Sequence, residues 1–184
     1  MNLSRQKNAA NGALMRTSVL ATSPYVDEEE ITDICRLTHY DPRCVGSCVI
    51  ITKLIQGLIF QEKEMDLNTM KEIARKYDER IIEYLDLAQN PEPSLLHADD
   101  DAMGYTLKTM SISLWTLWHS NNFTDGLHAV VNLGGDADTN AAVACAILGA
   151  KYGFDNIPPY YVDNLVNRKI LDDIYQNAVD DLAS

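Results

Sequence analysis

Apolar residues recur at intervals of three and four along most of the chain, the spacing that places them on one face of an α-helix. Residues 43–61 put Cys48, Ile51, Ile55, Leu58 and Ile59 on one stripe. Residues 66–87 repeat the pattern with Met70, Ile73, Ala74, Tyr77, Ile81, Tyr84 and Leu85, leaving Asp66 and Glu72 on the polar side. The acids Asp27 to Glu30 precede Ile31, Ile34 and Cys35, as a helix N-terminus prefers. Residues 104–120 are apolar on more than one side, which predicts a buried helix, and residues 124–132 read as a short amphipathic one. The alanine-rich run 137–152 suits a tightly packed central helix, and 171–182 a weaker terminal one. The prolines at 91 and 93 forbid a continuing helix there, but core-grade helices flank them, so 90–94 is a loop inside one domain. Strand character is confined to the compositions of 48–52 and 160–162, with no sustained alternation. The expected class is all-α and the expected organisation a single domain over residues 1–184.

Composition narrows the chemistry. With 46% apolar residues the 184-residue chain can build a sizeable core. Twenty-seven acids against 15 Lys and Arg give a formal charge of −12, which argues against a general nucleic-acid or membrane-surface binder. Runs such as 49–51 and 141–150 look too short or too polar to cross a bilayer, and residues 1–20 lack a signal-peptide core. The chain therefore reads as cytoplasmic, and its four cysteines as reduced thiols.

The most specific local feature is Gly134-Gly135-Asp136-Ala137-Asp138-Thr139-Asn140, followed by the alanine-rich helix. Two glycines permit a tight turn, and two carboxylates with a hydroxyl gather the hard oxygen donors that Mg²⁺ prefers. An EF-hand is excluded, because Ala141 stands where the sixth-position glycine is needed and Ile147 where the bidentate glutamate is needed. The bland alternative is an aspartate that caps the helix after a glycine turn. Asn11-Gly12-Ala13-Leu14-Met15-Arg16 offers an amide, a close backbone approach and a cation, or simply a turn into a helix. In Thr38-His39-Tyr40-Asp41-Pro42 the histidine can meet phosphate or ribose, or merely complement a helix dipole. Cys35, His39, Cys44 and Cys48 form a zinc alternative whose spacing fits no usual finger or ribbon, and buried thiols explain the cysteines as well. His97 to Asp101 reads as a solvated acidic turn.

Taken together, these blocks resemble the ADP-ribosylglycohydrolase family. The match runs through 11–17, 38–42, Gly104-Tyr105-Thr106, 134–139, 149–153 and Ile157-Pro158, in the family's order. The resemblance implies an orthogonal multi-helix bundle, a pair of Mg²⁺ ions in a central cleft, and cleavage of ADP-ribose from modified proteins or small acceptors. It makes Asp136, Asp138 and Thr139 metal ligands, and Asn11, Gly12, Met15, Arg16 and His39 the lining of the ADP-ribose pocket. The family's opening Gly-Asp-Ala-x-Gly segment and its Ser/Thr-Asp-Asp-Thr block have no counterpart in these residues. The resemblance therefore covers the C-terminal portion of the domain, and no general base can be named. The expectation is an N-terminally truncated or split hydrolase, completed in the split case by a separate N-terminal chain. The alternative is a non-catalytic ADP-ribose-binding or interaction module.

Overall fold

A computed structural model describes residues 9–183. Every helix or strand segment among them is helical; the only β pairing is a single antiparallel bridge between Ala10 and Tyr105. The helices are α1 (Leu14–Thr17), α2 (Glu28–Arg36), α3 (Pro42–Gln61), α4 (Leu67–Tyr77), α5 (Arg80–Ala88), α6 (Thr106–His119), α7 (Phe123–Asn132), α8 (Ala137–Tyr152), α9 (Pro159–Asp163) and α10 (Arg168–Ala183). The all-α expectation holds. Even the β-prone residues 48–52 and 160–162 are helical, because α3 and the prolines that start α9 override local composition.

Helix starts follow local chemistry. Asp27 accepts from the backbone N–H groups of Glu29 and Glu30, while Glu30 returns a bond to Asp27, a reciprocal cap. Asp41 caps α3, which opens with Pro42 at its first position, and Asp66 and Asn122 cap α4 and α7.

The pattern over 66–87 was expected to be one helix and is two. Asp78 is extended, and its carboxylate takes both the backbone N–H and the guanidinium of Arg80, so a side chain replaces the helical bond at the break. The corner packs tightly on α3. A Cβ at Gly46 would stand 2.4 Å from Ile81 Cδ1 and 3.1 Å from Tyr77 Cβ, so a larger residue there would have to push both side chains aside.

The core lies between α3, α6 and α8, with α1, α2, α5 and α7 around them. α3 differs from expectation in a second way. By length and composition it could cross a membrane, a property hidden in the sequence by Ser47, Thr52, Lys53 and Gln56, which interrupt the apolar run. Its residues Val45 to Ile51 are buried inside the bundle, as a core helix requires.

Candidate functional site

The bridge at Ala10 sets the site in place. Asn11 N–H donates to Gly104 O at 3.0 Å and Thr106 N–H to Ala9 O at 2.8 Å, which stitches the N-terminal segment to the entrance of α6. Behind it, Arg43 forks onto Asp41 at 2.6 Å and 2.8 Å and donates to the Tyr105 hydroxyl at 3.1 Å. The guanidinium also lies over the Tyr105 ring, a cation–π contact, and Tyr84 meets the same ring edge-on. Burial pulls the Asp41 carboxyl upward, but the Arg43 bonds outweigh it and hold the group below its ordinary value.

Asn11, buried, delivers its amide across the molecule. Nδ2 donates to Thr109 Oγ1 at 2.8 Å and to Asp136 Oδ2 at 2.6 Å. Asp136 occupies the capping position of α8 yet makes no capping bond; its carboxylate turns to Asn11 instead. That observation removes the bland reading of Asp136 as a helix cap. Asp138 and Thr139 follow in the first turn of α8, Asp138 exposed and Thr139 buried. On the same turn Asn140 is fully buried with neither side-chain polar atom bonded to protein, an arrangement that costs about 1–3 kcal/mol when left unmet.

The turn that presents these donors is held from below. Gly134 and Gly135 have φ of +72° and +64°, and a Cβ at Gly135 would fall 1.9 Å from Ala98 O. The loop beneath was expected to be a solvated acidic turn. Its acids are exposed, but Ala98 and Leu96 are buried, and Lys108 of α6 reaches in to donate to His97 O and pair with Asp100. The loop is the floor of the glycine turn.

The second cluster sits at the other end of the Asn11-Gly12 turn. A Cβ at Gly12 would stand 3.3 Å from His39 Cε1, so the absent side chain is what lets the ring approach. Arg16 Nη2 donates to Ile34 O at 3.1 Å and to Thr38 Oγ1 at 2.7 Å, and Thr38 Oγ1 lies 2.7 Å from His39 Nδ1. Arg16 is thus tied to the end of α2 by one nitrogen, and its other donors meet no acceptor among the described residues. Burial, and then the Arg16 charge, lower the His39 pKa, which keeps the ring neutral near pH 7. Met15 is 46% exposed on α1; its backbone N–H donates to Asn11 O at 3.1 Å, the ordinary turn into the helix, and no side-chain bond joins it to either cluster among the described residues.

The two clusters therefore share one turn. Asn11 reaches Asp136, Gly12 meets His39, and Arg16 reaches His39 through Thr38. Sequence reasoning passed over Thr109, Thr38, Lys108 and Asn140 as site residues. Only Thr38 and Asn140 carried a signal, each standing inside a quoted motif. The zinc alternative does not hold: Cys35 and Cys44 are buried with their thiols on the carbonyls of His39 and Ala10, and His39 turns its ring to Thr38 and Gly12. Burial pushes the Cys44 thiol up to about 12. Among the described residues no three His, Cys, Asp or Glu side chains converge as a metal cluster. A groove of about 620 Å³ lined by Lys53, Phe60, Glu64 and Lys76 shares no residue with the site.

The family's sequence profile, described as ADP-ribosylglycohydrolase, matches residues 2–184. The chain belongs to the ADP-ribosylglycohydrolase family. It is 30% identical over 135 residues to the ADP-ribosylarginine hydrolase Tri1 of Serratia proteamaculans, spanning 72% of this chain and 35% of that protein. It is 28% identical over 162 residues to the ADP-ribosyl-dinitrogen reductase glycohydrolase of Rhodospirillum rubrum, 86% of this chain and 51% of that one. A solved structure titled as an ADP-ribosylglycohydrolase-related protein complex superposes with a TM-score of 0.67 at 24% identity, over 89% of this chain and 57% of the other, and supports the fold. The chain spans about a third to a half of the length of these curated relatives. A separate N-terminal partner chain finds no support among them.

Proposed function

We propose that this chain forms part of a Mg²⁺-dependent hydrolase that removes ADP-ribose from modified proteins or small acceptors. The observation that carries the reading is the Asn11–Asp136 bond, which turns a helix-start carboxylate away from capping and toward the ligand-facing turn. Family membership and the names of the relatives support the substrate class.

The donor set fits a hard cation. Among the described residues Asp136 Oδ1 takes no hydrogen bond, Asp138 is exposed, Thr139 adds a hydroxyl, and the Asn140 amide on the same turn has no partner. Mg²⁺ usually retains several waters and takes only one or two carboxylates, so two aspartates and a threonine are an adequate anchor for one ion. Asp136, Asp138 and Thr139 would hold it. When bound, such an ion supplies Lewis-acid charge for the ribose hydroxyls and lowers the pKa of its water. Asn11 fixes the rotamer of Asp136 through its 2.6 Å bond, and its second bond to Thr109 fixes Asn11 in turn. Gly12 leaves the turn bare of side chain, so a ligand can approach the backbone beside the neutral His39 ring. Cleaving a ribosyl bond passes through an oxocarbenium-like state, which needs an oriented ribose and an activated water. No residue of this chain is assigned as general base, and turnover by these residues alone is expected to be slow.

The test is a thermal-shift and turnover series with ADP-ribose and arginine-linked ADP-ribosyl protein, with and without Mg²⁺. ADP-ribose should raise the melting temperature more with Mg²⁺ than without. Asp136→Ala together with Asp138→Ala should abolish that Mg²⁺ dependence. An identical response from wild type and the double variant would overturn the reading, and Mg²⁺-dependent binding with no ADP-ribose release would select the non-catalytic module.

A further inference from the structure

The Thr38 hydroxyl stands between two nitrogens. Arg16 Nη2 donates to its oxygen at 2.7 Å, and His39 Nδ1 lies 2.7 Å from the same oxygen. A threonine hydroxyl has one proton to give and two lone pairs to receive. Arg16 can only donate, and it stays cationic throughout the working pH range. Its bond therefore occupies a lone pair, and its charge polarises the hydroxyl into a stronger donor. The favoured course for the polarised Thr38 proton is to Nδ1, which makes Nδ1 the bare nitrogen and puts the ring proton on Nε2. The reverse arrangement would aim two donors, one of them a full cation, at one oxygen. Arg16 is held for this task by its second bond, to Ile34 O at the end of α2. The Nε2 edge of the ring faces the bare Gly12: a Cβ there would stand 3.5 Å from Nε2.

We propose that Arg16 and Thr38 are positioning residues that set His39 as an Nε2–H donor beside Gly12, for an oxygen acceptor of the bound ligand. The ligand half rests on the ADP-ribose reading above; the tautomer half stands without it. Arg16 thus belongs to the site through His39 rather than as the diphosphate's own counter-charge. The arrangement also explains why Thr38 and not only His39 carries the site's chemistry: replacing the hydroxyl frees Nδ1 to take the proton and turns Nε2 into an acceptor.

The test reads the ring directly. Long-range proton–nitrogen correlation on histidine-labelled full-length chain distinguishes the two tautomers, and His39→Gln assigns the signal among the four histidines. Wild type at pH 7.5 should show the Nε2–H pattern. Thr38→Val should lose it toward Nδ1–H, and Thr38→Ser should restore it. An Nδ1–H or doubly protonated ring in wild type overturns the proposal, as does an unchanged pattern in Thr38→Val. Should Thr38→Val fail to fold, Arg16→Met tests the same link, with the same shift expected and an unchanged pattern overturning it. ADP-ribose titration should show roughly tenfold weaker binding for Thr38→Val, the worth of about one hydrogen bond, and recovery in Thr38→Ser. Wild-type affinity in a Thr38→Val whose tautomer has changed overturns the ligand half. Absence of ADP-ribose binding by a wild type whose His39 is Nε2–H sinks the ADP-ribose reading and leaves the positioning pair standing.

Discussion

Asp27, Asp41 and Asp66 each turn a carboxylate oxygen back onto backbone N–H groups at a helix start, and Asp136, at the same kind of position, does not. The residues Asp136, Asp138 and Thr139 were readable from the sequence because a glycine turn with clustered oxygens is a local signal. The partner that redirects Asp136 was not, because Asn11 lies 125 positions away and only the folded chain brings it there. Thr109 and Lys108 were illegible for the same reason: each looks like an ordinary polar residue on a helix until its neighbour is known. Asp41 shows how a residue outside the Asn11-Gly12 turn supports it. Its folded pKa lies below the unfolded value, so the unfolded chain takes up the proton first. The stabilisation is full above about pH 4 and is lost as pH falls through the lower folded value. Asp41→Asn should cost about 2 kcal/mol in urea unfolding at pH 7, since a charged hydrogen-bonded pair is broken. The difference from wild type should shrink as pH falls through the lowered folded value, and a gap that stays constant across the acid range would show that Asp41 acts by shape rather than charge.

At the scale of elements, helix existence was legible wherever an apolar stripe ran for three turns, as in α3 and α6, and for α8 from its alanine-rich run. Boundaries were not, because they depend on single side chains such as Asp78, whose grip on Arg80 splits α4 from α5. Nor did the stripe reveal that the acidic loop before α6 supports the glycine turn before α8. Two substitutions separate backbone conformation from packing in that turn. Gly134→Ala meets only Asp99 Cβ at 4.0 Å, so its cost is the left-handed backbone, about 1 kcal/mol. Gly135→Ala meets Ala98 O at 1.9 Å as well and should cost about 3 kcal/mol or more, with Mg²⁺-dependent binding lost along with it. Equal melting temperatures for the two variants would mean that the floor loop yields freely.

Across the whole molecule, packing is uneven. The bundle of α3, α6 and α8 buries Ile50, Leu54, Leu107, Met110, Ile112 and Ile147, whereas α10 carries Ile170, Leu171, Ile174 and Tyr175 exposed. Truncating Ile112 to Ala should cost about 3 kcal/mol. Ile170→Asp with Ile174→Asp should change the unfolding free energy by no more than about 0.5 kcal/mol, because those side chains are more exposed than buried. A large loss from the α10 pair, followed by calorimetry, would show that the helix is packed in solution.

The bridge between Ala10 and Tyr105 has a consequence for the order in which the molecule assembles. Helices close over a few residues, but the contacts of Asn11 with Thr109 and Asp136 span 98 and 125 positions. Closing so long a loop carries an entropy cost before any bond forms, so these contacts are expected to arise after the helices that frame them. The same contacts are expected to open early in the native state, at a free energy below that of global unfolding. Native-state hydrogen exchange should therefore show the amides of Asn11 and Thr106 exchanging faster than those in the middle of α6. Ligand that binds at the turn should slow those two amides before it protects the core, so occupancy of the site would be recorded as late-forming structure held shut.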